Sequence, residues 1–359
     1  MVKIKEMKIE GYKKVIEATD EDSNLHCFIA IHDTSLGPSL GGTRIYPYSN
    51  SQEALHDVLL LAKAMTNKSA VAELGTGGGK SGIIADPYTQ KNEKLLHAFG
   101  KVVDSLQGDY IAAEDVGSDT KDMAIIRQTT PFVAALPTQS SSGDPSRFTA
   151  WGVFRGIQAV AQKLWGSSSL KNKKILVQGL GQVGGKLANL LFWEGAHLIL
   201  CEANPAHLAE YAVQLGAETV GLEDYAYTSC DILSPCAMGG TITEKLVPQL
   251  HCQAIAGGAN NQLQSPKVGE MLMQKGILYA PDYVINAGGL VNATAEFNPG
   301  GYHAVDSRNK VDKIYSTLLK LFDKAEKEGK PTSLVADEMA QYNLKHLIGL
   351  RTHPIQFNR

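Results

Sequence analysis

Lys80 follows three glycines, Gly77-Gly78-Gly79, and precedes Ser81 and a short apolar stretch, Gly82-Ile83-Ile84-Ala85, that stops at Asp86-Pro87. The phosphate-cradling pattern G-x-x-x-x-G-K-[ST] would need its first glycine at Leu74, so phosphoryl transfer is disfavoured at this site. A lysine desolvated beside a second cation, here Lys68, is suited instead to acid and base work. Further along, Tyr110-Ile111-Ala112-Ala113 ends on the acids Glu114 and Asp115. Acids at the carboxyl end of a strand are well placed for chemistry. A second constellation begins at Lys174-Ile175-Leu176-Val177-Gln178, which runs into Gly179-Leu180-Gly181-Gln182-Val183-Gly184. This is G-x-G-x-x-G between a strand and a helix read over 186–192. Gly179 makes the tight turn, Gly181 lets the backbone approach a pyrophosphate, and Gly184 lets helix and strand pack closely. The next apolar run, His197 to Cys201, ends on Glu202, at the spacing expected for a carboxylate that receives both ribose hydroxyls. That carboxylate would repel a 2′-phosphate and no Arg follows it closely, which favours NAD over NADP. A strand-helix corner without a ligand remains the alternative.

These residues need elements to hold them. Leu25, Cys27, Ile29 and Ile31 alternate as in a half-buried strand, and SLGPSLGGTR reads as a Gly and Pro rich turn after it. Asn50 or Ser51 caps a helix with Leu55, Val58, Leu59, Ala62 and Met65 on one face, and Lys68 is expected just past its end. Lys80 is expected to enter a strand from a flexible loop. A helix over 94–106 leads to the strand that ends on Glu114. The small polar run PTQSSSGDPSRFT is a connector, followed by an amphipathic helix through Val153, Ile157, Val160 and Ala161. From Lys174 the rhythm of strand, glycine loop, helix and strand continues through Ile232-Leu233, Ala254-Ile255-Ala256 and Ile277-Leu278-Tyr279. That rhythm predicts a doubly wound parallel sheet.

The length of 359 residues favours two domains over one core. Residues 1–140 would form an α/β substrate-binding domain, rejoined by C-terminal helices over 330–359. Residues 141–329 would form a Rossmann-type dinucleotide-binding domain, with a cleft between the two. With 34 basic against 37 acidic residues and no basic run, nucleic acid is not an expected partner. The N-terminal stretch lacks the apolar segment of a secretory signal and no later stretch spans a bilayer, so no membrane partner and a cytoplasmic location are expected. Five cysteines without C-x-x-C pairs, and scattered histidines, favour buried thiols over a disulfide framework or metal site.

The segments LGPSLGGTR, AKAMTNKSA, GGGKSGIIADP, AAEDVGSDT, SSGDPS, GLGQVGGKLA, CDILSPCAMGG and YAPDYVINAGGLVNA occur in order over roughly 24–300. Together they resemble the glutamate/leucine/phenylalanine/valine dehydrogenase family, with leucine dehydrogenases the best match. The resemblance implies that Lys80 is the catalytic lysine, Asp115 the acid/base and Lys68 the holder of the substrate carboxylate. It implies a side-chain pocket from the turn Leu40, Gly41 and Gly42, and from Ala113, Val291 and Thr294. Ala237, Gly257, Ala259, Asn261 and Asn286 become cofactor contacts in addition to Gly179, Gly181, Gln182, Val183, Gly184 and Glu202. The implied activity is reversible NAD-dependent deamination of leucine, valine or isoleucine to the 2-oxo acid and ammonia by a homo-oligomer. The apolar wall offers no cation for a γ-carboxylate, which argues against glutamate. The same chemistry on phenylalanine or tryptophan, and a catalytically silent NAD-binding or amino-acid-sensing protein, are the competing readings. Glu73, Thr76, Arg147-Phe148 and Thr294 depart from the usual leucine dehydrogenase pattern; Glu73 either pairs with one of the lysines or faces solvent.

Overall fold

The computed structural model describes residues 1–137 and 141–357, and divides into two compact units. Unit 1 comprises Met1–Asp144, Ala293–Ala304 and Ala340–Arg359, and unit 2 comprises Pro145–Asn292 and Val305–Met339. The chain first crosses after Asp144, four residues beyond the sequence-expected boundary, and part of the connector, Thr138 to Ser140, lies outside the described residues. The expected return of the C-terminal helices involves Ala340–Arg359, while residues 330–339 stay with unit 2, and Ala293–Ala304 forms an additional crossing.

Unit 1 is built on a six-stranded mixed sheet. Its strands are β1 (Lys3–Met7), β2 (Lys14–Asp20), β3 (Leu25–Asp33), β4 (Ser39–Tyr46), β5 (Gly77–Ile84) and β6 (Tyr110–Glu114), in the order β1-β2-β3-β5-β4-β6. β4 runs parallel to both β5 and β6, while β3 pairs antiparallel with β5. Helix α1 (Ser51–Val71) is capped by the Asn50 side chain, which accepts from Glu53 N, and it buries Ala54, Val58, Leu61 and Ala62. Helix α2 (Glu93–Ser105) packs Leu95, Leu96, Phe99, Val102 and Val103 into a core with Ile29, Ile83 and Tyr110. A short helix, α3 (Thr120–Ile126), begins at a reciprocal cap between Asp119 and Asp122.

Three expectations change here. SLGGTR is central strand, Gly77-Gly78-Gly79 is strand as well, and Lys68 lies inside the last turn of α1. The glycines looked like turns because they lack β-forming side chains, yet each makes room for a close neighbour. A Cβ on Gly41 would strike the Gly79 carbonyl, one on Gly78 would strike Thr66, and one on Gly79 would lie 2.8 Å from the buried Tyr110 ring. Glycine inside a strand often marks such an approach.

Unit 2 opens with α4 (Ser146–Trp165) and then follows β7 (Lys174–Gln178), α5 (Gln182–Trp193), β8 (His197–Cys201), α6 (Pro205–Leu215), β9 (Glu218–Thr219), β10 (Ile232–Pro235), β11 (Ala254–Ile255), α7 (Pro266–Gln274), β12 (Leu278–Tyr279) and α8 (Asp282–Ile285). The sheet is entirely parallel in the order β12-β11-β10-β7-β8-β9, so the chain reverses direction of winding beside β7. That point is where open α/β sheets receive ligands. Leu176, Ile199, Leu233, Ile255, Val268 and Leu272 form its core on one face. The remaining helices are α9 (Gly288–Thr294), α10 (Ala304–Val311), α11 (Lys313–Glu328) and α12 (Thr332–Lys345). No helix among the described residues is long and apolar enough to cross a membrane.

Candidate active site

Three neighbouring strands of unit 1 bring the first constellation together. β5 carries Lys80, β6 ends one residue before Asp115, and β4 between them carries Gly41, Gly42 and Arg44. Lys80 Nζ lies 2.5 Å from Asp115 Oδ2. The Lys80 side chain is 7% exposed and that of Asp115 18%, so this ion pair is largely withdrawn from water. Arg44 Nε donates to the same Oδ2 at 3.2 Å, and its other arm reaches Asp57 Oδ2 at 2.9 Å. Tyr48 donates to Asp57 at 2.6 Å. Burial by itself would raise the Asp115 carboxyl, but the charge of Lys80, and then that of Arg44, outweighs it and holds the group below the usual carboxylate range.

The loop after Asp115 is pinned so that this geometry persists. Asp115 N donates to Ser118 Oγ at 3.0 Å, and that hydroxyl donates to the Thr43 carbonyl at 2.6 Å. Gly117, at φ +81°, lies where a Cβ would strike the Ile45 carbonyl. Gly42 sits beside the pair: a Cβ there would lie 2.7 Å from Asp115 Cβ and 3.0 Å from Lys80 Nζ. The missing side chain lets the pair pack directly against the β4 backbone. Gly42 pairs with Ala113, and Leu40 with Ile111, across β4 and β6.

Glu114 has a different environment from its neighbour. Burial, followed by the charges of Asp144, Asp119, Asp115 and Asp122, pushes its carboxyl up to about 7. Lys68 is half-buried in α1, in the same unit as Lys80 and Asp115. Thr294 and Leu40 are buried in unit 1, whereas Val291 is buried in unit 2. Of the departures from the family pattern, Glu73 is exposed at φ +52°, the solvent-facing alternative. Thr76 is buried, its carbonyl and hydroxyl both meeting Ser69 Oγ, at 2.6 and 2.7 Å. Arg147 lies over the Phe148 ring at 4.9 Å.

Arg44, Asp57, Tyr48 and Ser118 were not singled out in the sequence. Asp57 did leave a signal: it occupies the helical stripe otherwise formed by the buried Ala54, Val58 and Leu61, where an acid requires a partner.

In unit 2, Gly179 takes φ +90° and donates its N–H to the Cys201 carbonyl at 2.7 Å. A Cβ on Gly184 would strike the Gly179 carbonyl, so this glycine closes the strand-helix corner. α5 begins at Gln182 rather than at 186; Gly184 and Gly185, poor helix formers, concealed its first turn. Gln182 and Val183 therefore belong to the helix N-terminus. Glu202 follows β8, accepting from Leu180 N at 2.7 Å and Asn204 N at 3.0 Å. Burial would raise its carboxyl, but these backbone N–H groups outweigh that and hold it low.

Two observations fit a dinucleotide at this corner. A Cβ on Gly181 would meet nothing within 4 Å, so the backbone at the helix N-terminus is open to a ligand. Asn286 donates to Asn260 Oδ1 at 2.8 Å, while its own buried Oδ1 has no partner. Ala259 is buried next to it, Asn261 is exposed at φ +50°, and Ala237 is exposed beside Gly179. Among the described residues no cluster of three metal-ligating side chains occurs.

Two family models match the chain: "Glu/Leu/Phe/Val dehydrogenase, dimerisation domain" over residues 9–132 and "Glutamate/Leucine/Phenylalanine/Valine dehydrogenase" over residues 198–329. The chain is 44% identical to the leucine dehydrogenase of Geobacillus stearothermophilus, with 98% of this chain and 96% of that protein covered. It is 39% identical to the valine dehydrogenase of Streptomyces albus, covering 93% and 92%. The crystal structure of L-tryptophan dehydrogenase from Nostoc punctiforme superposes with a TM-score of 0.81 at 38% identity, covering 94% and 97%. The two constellations thus sit in a chain that belongs to the Glu/Leu/Phe/Val dehydrogenase family of amino-acid dehydrogenases.

Proposed function

We propose that this enzyme catalyses the reversible, NAD-dependent oxidative deamination of a branched-chain aliphatic L-amino acid to its 2-oxo acid and ammonia. The observation that carries the reading is the withdrawn Lys80–Asp115 pair packed against Gly42. Bound NAD supplies the hydride acceptor. Gly179, Gly181, Gln182, Val183 and Gly184 would hold its pyrophosphate, Glu202 its ribose, and Ala237, Ala259, Asn261 and Asn286 the nicotinamide side.

Lys68 holds the substrate carboxylate and fixes the Cα. Asp115, ionised, takes a proton from the substrate ammonium, so that the free amine lone pair assists departure of the Cα hydride. Lys80 then orients the water that adds to the imine carbon and stabilises the oxygen as charge develops there. Asp115 returns its proton to the departing nitrogen. Leu40, Gly41, Gly42, Ala113, Val291 and Thr294 would line the side-chain pocket, with no cation among them for a second carboxylate.

A panel of L-amino acids assayed with NAD and with NADP tests the reading: leucine, valine and isoleucine with NAD should give the highest kcat/KM. Preference for glutamate would overturn it. Similarity to a tryptophan dehydrogenase makes an aromatic substrate the second reading, and the same panel separates the two. Absence of turnover with every amino acid would instead favour a silent sensor. A cytoplasmic homo-oligomer completes the proposal, checked by light scattering of the purified protein.

A further inference from the structure

Asp115 is gripped by two cations on one oxygen, and they differ in what else they do. Lys80 Nζ and Arg44 Nε both contact Oδ2, at 2.5 and 3.2 Å, and the backbone N–H of Val116 also donates to the carboxylate. Lys80 is committed by the proposed chemistry to water and oxyanion. Arg44 takes no part in that chemistry, since its NH1 is fixed on Asp57 at 2.9 Å, and Asp57 is fixed by the Tyr48 hydroxyl at 2.6 Å. Tyr48 is buried, and Asp57 belongs to the rigid body of α1.

We propose that Arg44 is the standing counter-ion of Asp115, a positioning residue held by Asp57 and Tyr48 that keeps Oδ1 ionised and aimed at the substrate nitrogen when Lys80 turns to the reacting oxygen. The inference rests on the acid/base role given to Asp115 above. In the step concerned, the substrate ammonium N–H bond breaks, its electron pair stays on nitrogen, and the proton forms an O–H bond at Asp115 Oδ1. A carboxylate with a permanent guanidinium on its other oxygen remains a base throughout. The charged and titratable groups around Asp115 are Lys80 on β5, Arg44 on β4, Asp57 on α1, Tyr48 after β4, and Tyr110 and Glu114 on β6.

The test is the pH dependence of kcat and kcat/KM for leucine oxidation in four full-length variants. Arg44→Gln should move the acid limb of kcat upward by about one to two pH units, with a smaller movement in kcat/KM, because free enzyme retains Lys80 on Asp115. Arg44→Lys should return the limb towards wild type. Asp57→Asn removes a negative charge while keeping an amide oxygen that can accept from Arg44 NH1, so its limb should stay in place or move down. A profile for Arg44→Gln that falls uniformly at all pH values, with its shape unchanged, would overturn the proposal. An upward limb in Asp57→Asn would do the same, and this arm decides the matter if Arg44→Gln does not fold. Asp115→Asn separates the two levels: substantial turnover in that variant removes the role of Asp115 itself, whereas an inactive Asp115→Asn beside an unshifted Arg44→Gln removes only Arg44.

Discussion

Removing Lys80 and removing Asp115 should not cost the same, and removing both should cost less than the sum. Among the described residues Lys80 has one ionic partner, whereas Asp115 has two. Lys80→Met therefore leaves the carboxylate with Arg44, but Asp115→Asn leaves a buried ammonium with no ionic partner. Breaking a buried pair from one side costs about 3–5 kcal/mol. The second change should fall in that range, and the first nearer to about 2 kcal/mol because a counter-ion remains. In the double variant no unpaired ion is left at Lys80, so the two losses should be non-additive by about 2–3 kcal/mol. The assay is the urea midpoint at pH 7 with unchanged slope, at fixed protomer concentration since association adds to apparent stability. Losses that add to within about 0.5 kcal/mol would refute the account, because independent sites behave in that way.

Gly181→Val should leave the urea midpoint nearly unchanged, since a Cβ there meets nothing, yet weaken NADH binding at least about tenfold as the side chain fills the approach to the helix N-terminus; fluorescence titration reads it. Glu114→Gln should act on stability in a pH-dependent way. With the folded carboxyl raised to about 7 and an unfolded value of about 4.3, the folded state holds the extra proton between them, so wild-type stability is lost as pH rises through that window. The variant should gain about 1 kcal/mol at pH 8, after screening of a half-exposed group, and nothing at pH 4; urea midpoints at the two pH values check it. Arg351 donates to the carbonyls of Gly75 at 2.8 Å, Phe297 at 3.0 Å and Leu74 at 3.4 Å, all within unit 1. Arg351→Ala should cost about 3 kcal/mol, as bonds from a charged donor are worth about 1.5–3 kcal/mol each and the third is long; Arg351→Lys should recover less than half, because one ammonium cannot span three carbonyls.

The architecture of unit 2 was legible because its pattern is local: strand, glycines, helix and acid lie within Lys174 to Glu202, and alternating β and α rhythm alone implies the parallel sheet. Lys80 and Asp115 stood out as residue types, and the roles proposed for them come from the resemblance. Their environment was not. β4 inserts between β5 and β6 in space although it precedes both in the chain, so nothing in the neighbourhood of Lys80 announces Arg44. The glycines that admit Tyr110, Thr66 and the Gly79 carbonyl hide strands from any propensity argument, since their purpose is visible only once the neighbours are placed. The same holds for the last turn of α1, where Ser69 meets Thr76 and Lys68 is helical instead of lying beyond the end.

The discontinuity of unit 1 has a consequence for biosynthesis. Arg351 and the stretch Ala340–Arg359 belong to the unit that carries Lys80 and Asp115, and they are synthesised after all of unit 2. Unit 2 has its full complement of residues once Met339 is clear, roughly one to four seconds earlier at ordinary elongation rates. Nascent chains should thus complete unit 2 before unit 1 can close. An intermediate stalled before Arg351 would leave the Leu74, Gly75 and Phe297 carbonyls without their guanidinium partner.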